Sequence, residues 1–130
     1  MNPLPQDYIV KAKQCLSKAR KVLELGLNDE AGRIAYLAGF HAAEAIILNR
    51  TGKIAKTHSG VRSEFARIAK NDPDLNKEWV SFLGWAYDMK TTADYLCGYD
   101  TEVPRERAEE AIATAERFVS CINAILTDGE

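Results

Sequence analysis

Apolar residues return every three or four positions along almost the whole chain, which is the spacing of one face of an α-helix, and no run alternates as a strand would. The first stretch, from Pro5 to about Leu25, carries its stripe on Tyr8, Ala12, Cys15, Leu16, Ala19, Val22 and Leu23. Gly26 is placed to close it. A second stretch runs from about Asp29 to Arg50, with Asn28 and Asp29 as capping residues. It is rich in small residues (Ala31, Gly32, Ala35, Ala38, Gly39, Ala42, Ala43, Ala45) and apolar on most sides of its middle. Small side chains let neighbouring helices come close, so this helix is expected at the centre.

Thr51 and Gly52 end that helix and open a basic loop from Lys53 to His58. Thr57 or Ser59 is the expected cap of a third helix carrying Val61, Phe65, Ile68 and Ala69. Asn71-Asp72-Pro73-Asp74 breaks the chain. A fourth helix is expected over roughly Leu75 to Tyr95, and a second break falls at Cys97-Gly98-Tyr99-Asp100. The last helix starts near Pro104 and reaches about Leu126, with Ala108, Ile112, Ala115, Phe118, Val119 and Ile122 in its stripe. The pattern predicts an all-α, up-and-down antiparallel bundle of about five helices forming one domain over residues 1–130. Heptads are not sustained between the breaks, which argues against a coiled coil.

Composition narrows the class. With 130 residues, 46% of them hydrophobic and 28% charged, the chain fits one globular domain rather than a disordered one. A net charge of -2 gives no whole-chain basic field toward nucleic acid or membrane, although a local basic face remains open. No apolar stretch reaches the roughly 20 residues of a membrane helix, and Met1 to Tyr8 lacks the core of a signal peptide. Cys15, Cys97 and Cys121 are widely spaced, with no Cys/His cluster of zinc spacing, and read as reduced core thiols of a cytoplasmic protein. Phosphate-binding loop, nucleophile elbow and H-E-x-x-H signatures are absent, so no cofactor or metal is expected. Glu102, Glu106, Glu109 and Glu110 suit the positive end of the last helix dipole. Lys11, Lys13, Lys18, Arg20 and Lys21 read as the solvent face of the first helix.

The two histidines carry more information. His41 sits in the middle of the apolar second helix, either as a hydrogen-bonded core residue or facing a cleft or dimer interface. Glu44 lies one turn on, where its carboxylate can fix the imidazole's tautomer or raise its pKa. His58 falls at an expected helix N-terminus with Lys53, Lys56 and Arg62 around it. That setting suits an anion such as a phosphate, or simply a Ser/Thr cap among solvated basic residues.

The second helix reads A-Y-x-A-x-F-H-A-A-E-A over 35–45 and is followed by G-K-x-x-K-T-H-S-G-V over 52–61 and by Ala93-Asp94-Tyr95. In these segments, and over nearly its whole length, the chain resembles the HEPN domain family. The resemblance implies a helical bundle that pairs into a dimer. It also implies a small nucleotidyltransferase as partner in a toxin–antitoxin module, and RNA or nucleotide as ligand. Active members are metal-independent ribonucleases that use a histidine and an arginine across the dimer cleft. Here His41 matches the family histidine, while the arginine often found seven positions earlier falls on Ile34. Arg33 is one place further back, displaced by about 80° around the helix and two turns away.

The first expectation is therefore a non-catalytic binding dimer with Lys53, Lys56, His58 and Arg62 as nucleotide- or RNA-binding residues. The alternative is a ribonuclease toxin in which His41 moves the proton and Arg33, or else Arg62, stabilises charge on the phosphate. Asp94 and Tyr95 are expected to be structural, a buried tyrosine needing a polar partner.

Overall fold

The computed structural model describes residues 2–95 and 102–128. Cys97 and the break around it lie outside the described residues, as do the side chains of Asp94 and Tyr95. Five helices follow one another: α1 (Pro5–Glu24), α2 (Asn28–Thr51), α3 (His58–Asn71), α4 (Lys77–Tyr95) and α5 (Arg105–Asp128). No strand occurs among the described residues. Each expected helix is present, with ends within about two residues of where the caps and breaks put them, the usual latitude of such boundaries.

Helix α2 touches all four others, as its small residues require. Ala31, Gly32, Ala35, Ala38, Gly39, Ala42, Ala43 and Ala45 are all buried along it. Gly39 marks the tightest approach: a Cβ there would stand 2.5 Å from the Phe82 ring of α4. Phe118 of α5 is the hub of the aromatic core. It stacks on Trp79 with centroids 5.2 Å apart and also meets Phe65 and Phe82, so α3, α4 and α5 join at one ring.

The turns are made by the residues expected, with one exception. Gly26 (φ +80°) and Gly52 (φ +73°) adopt the left-handed conformation that closes α1 and α2. The Thr57 hydroxyl accepts from the Gly60 N–H at 2.8 Å and caps α3. Asn28 and Asp29 do not cap α2: the cap position is Leu27, with no side-chain bond. Asp29 lies inside the first turn, where its Oδ1 accepts from the Val103 N–H at 2.6 Å and ties α2 to the approach of α5. The pull of that distant backbone donor outweighs a local cap. Cys15 and Cys121 are free thiols at the margin of the core, half-buried rather than within it.

Candidate functional site

The site forms where α2 passes beneath the start of α3. Tyr36, Phe40, His41 and Glu44 recur on α2 at helical spacing, and His58 and Arg62 occupy one face of α3, one turn apart. The Phe40 ring lies between the two imidazoles, its centroid 4.5 Å from that of His58 and 5.7 Å from that of His41. His58 also stacks on Tyr36 at 5.7 Å and meets Tyr87 of α4 at 6.0 Å. Above Tyr87 the Arg62 guanidinium lies 4.0 Å from the ring centroid, a cation–π contact that holds the charge at the edge of the nest. The Nε of Arg62 is buried and makes no hydrogen bond among the described residues.

Each histidine is tethered through Nδ1. His41 Nδ1 is 2.7 Å from Oε1 of Glu44, and His58 Nδ1 is 3.0 Å from the Tyr36 hydroxyl. Their electrostatic settings differ in sign. Burial opposes charge on His41, but the Cys15 thiol and the Glu44 carboxylate outweigh it and raise its pKa to about 9. His41 is therefore an imidazolium at neutral pH. Burial pushes His58 below its ordinary value, and the nearby Lys90 and Arg62 push the same way, so it stays neutral. Burial also holds the Tyr36 phenol far above its usual range, so its proton stays in place as a hydrogen-bonding group.

Of the residues singled out in the sequence, the fold brings together His41, His58 and Arg62. It separates Lys53 and Lys56, which are exposed in the loop before α3. Lys53 borders a groove of about 410 Å³ shared with Gly60, Glu64 and Arg67, the face of α3 opposite His58 and Arg62. Arg33 forms an ion pair with Glu30 in the first turns of α2. Tyr36, Tyr87, Lys90 and Cys15 enter the site without having been assigned to it from sequence. Tyr36 repeats the α2 spacing one turn before Phe40, which is a legible signal. Tyr87 and Lys90 come from α4, and their placement depends on packing that no local pattern encodes. Among the described residues no group of three His, Cys, Asp or Glu side chains is arranged to hold a metal ion. No helix among them is long and apolar enough to cross a membrane.

Comparisons with known proteins bear on the family and the fold. The family described as "HEPN domain" matches residues 5–125. A "UPF0332 protein" of Archaeoglobus fulgidus is 34% identical over 111 residues, covering 85% of this chain and 86% of the relative. A Methanocaldococcus jannaschii protein named "Putative toxin MJ0605" is 32% identical over 123 residues, covering 95% of this chain and 89% of its own length. Among solved structures, TT1696 from Thermus thermophilus superposes with a TM-score of 0.77 over 92% of this chain and 96% of that one. At 22% identity, that likeness speaks for the fold.

Proposed function

Because the chain belongs to the HEPN domain family, we propose that it is the toxin-type member of a nucleotidyltransferase–HEPN module, binding the phosphates of RNA or of a nucleotide as a homodimer. Two similar proteins carry toxin in their names, which supports the first part of the reading. The observation that carries the binding reading is the placement of two cations on either side of a neutral His58, the His41 imidazolium beside Phe40 and the Arg62 guanidinium over Tyr87, with Lys90 near. Fixed cations beside half-buried rings suit a ligand that presents a phosphate and a flat base.

The test is a titration of the full chain with a fluorescent single-stranded RNA and, separately, with ATP. Binding that weakens with salt, and at least about tenfold on Arg62→Ala, supports the reading. Affinity unchanged by Arg62→Ala and by His41→Ala sinks this cleft as the site. A ribonuclease built on Arg33 and His41 together has less support, since Arg33 is engaged by Glu30.

A further inference from the structure

We propose that Lys11 and Lys18 of α1 continue the cleft as a track for the phosphates of a single-stranded RNA, so that the ligand is a strand of several nucleotides rather than a mononucleotide. The inference rests on the reading of the cleft as a phosphate-binding site and names the ligand class that fits it.

Charge is unevenly placed on this chain. Helix α1 carries five basic and two acidic residues in a protein whose net charge is -2. Its buried face (Ile9, Ala12, Ala19 and Leu23) packs on α2 and α5, and the two edges of that face meet different neighbours. At one edge Arg20 makes a two-bond ion pair with Glu116 of α5. At the other, Cys15 and Tyr8 stand beside His41 and Glu44 of α2. Successive residues turn by about 100°, so Lys11 and Lys18 fall about 40° and 60° from Cys15, on the cleft side. Lys13 falls about 20° from Arg20, on the α5 side.

Both cleft-side lysines are exposed, and no carboxylate pairs with either among the described residues. Asp7, one turn before Lys11, is turned to the helix start, where it accepts the Leu4 N–H at 2.7 Å. Lys11 and Lys18 are about 10 Å apart along α1, a rise that a few nucleotides of flexible strand cover. Positive charge therefore continues from Arg62 and His41 around the edge of α1. A mononucleotide holds its phosphates in one cluster. A strand spaces them one per nucleotide and so reaches cations spread over three helices, each contact releasing a counterion. His41 and Arg62 are half-buried, within reach of a strand but not of a flat anionic surface.

The experiment titrates the full chain with two 2′-O-methyl RNAs, which stay intact: a dinucleotide with one 5′-phosphate, to occupy the cleft, and a decanucleotide. Salt slopes are measured for the parent, for Lys11→Ala with Lys18→Ala, for Lys13→Ala and for Arg62→Ala. The double variant is expected to flatten the slope for the long strand by about 1.4 and to weaken its binding about tenfold at low salt. Screening leaves its affinity for the dinucleotide within about twofold of the parent. Lys13→Ala removes the same kind of charge from the α5 edge and keeps the parent's slope. Arg62→Ala weakens both ligands. Alanine is the better helix former, so the exposed lysine substitutions keep α1 intact, and melting curves verify it.

A double variant that keeps the parent's slope for the long strand overturns the track and leaves the cleft reading standing. So does a loss at Lys13 equal to the loss per lysine at Lys11 and Lys18, which would show charge without a path. A dinucleotide bound equally well by Arg62→Ala overturns the cleft reading and the track with it. Phosphatidylserine vesicles that bind the parent but not the double variant, with the long strand's slope unchanged, assign the lysines to a membrane surface instead.

Discussion

Nδ1 of His41 and Oε1 of Glu44 stand 2.7 Å apart, one turn from each other on α2, with both side chains largely shielded from water. The pair makes protonation of His41 part of the fold's stability. An unfolded histidine titrates near 6.5, whereas this one titrates at about 9. Below pH 6.5 both states hold the proton and the stabilisation is complete; as pH rises through 9 the native state loses it. The stabilisation lost across that window is about 3 kcal/mol. Thermal melts at pH 6.5 and 9.5 are expected to show a drop for the parent that largely disappears in His41→Gln. Equal drops in both proteins would show that the pair does not carry the effect.

Two glycines of α2 make opposite predictions although they sit seven residues apart on one face. A Cβ at Gly39 meets the Phe82 ring at 2.5 Å and Phe118 at 3.3 Å, both fully buried aromatics with no room to move. Gly39→Ala is expected to cost about 1–3 kcal/mol despite alanine's better helix propensity. At Gly32 the close atom is Cε of Met89, 2.7 Å away, the end of a flexible and half-buried chain. If Met89 swings aside, Gly32→Ala keeps much of the ~1 kcal/mol propensity gain and comes out near neutral. Denaturant midpoints of the two variants check the contrast, and a costlier Gly32→Ala would reverse the argument.

The bundle is legible in the sequence because its signals are local. The small residues from Ala31 to Ala45 announce a surrounded helix, and Gly26, Gly52 and Thr57 close or open helices where they stand. Asp29 escapes a local reading for the opposite reason: its partner, Val103, is 74 residues away, and no window of sequence contains both. The candidate site divides in the same way. His41 with Glu44, and His58 with Arg62, are one turn apart and can be paired by counting. That His58 and His41 share Phe40, and that Lys53 faces away from both, depends on the angle at which α3 crosses α2. Periodicity carries no such angle.

The Asp29 tie is itself testable. Its carboxylate accepts a backbone N–H of a residue that is 4% exposed, so removing the acceptor leaves a buried donor with no partner. Asp29→Ala is expected to cost about 1–3 kcal/mol by chemical denaturation. Asp29→Asn keeps an acceptor oxygen and should recover most of that loss. If asparagine is as damaging as alanine, charge at the first turn of α2 matters more than the bond to Val103.

Salt dependence separates the cleft from the loop. Each phosphate neutralised on a single strand contributes about 0.7 to the slope of log affinity against log salt. Arg62 lies over Tyr87 in the cleft, whereas Lys56 stands exposed in the loop before α3. Arg62→Ala should therefore flatten the slope for single-stranded RNA by about 0.7, and Lys56→Ala should leave it nearly unchanged. Arg62→Lys adds a finer test. It keeps the charge, so the slope should survive, but a compact ammonium lacks the planar group that stacks on the Tyr87 ring. Affinity should then fall at every salt concentration while the slope holds. A lysine that restores both would reduce Arg62 to a point charge, and a larger slope change at Lys56 would move the phosphate path onto the loop and the groove beside Lys53.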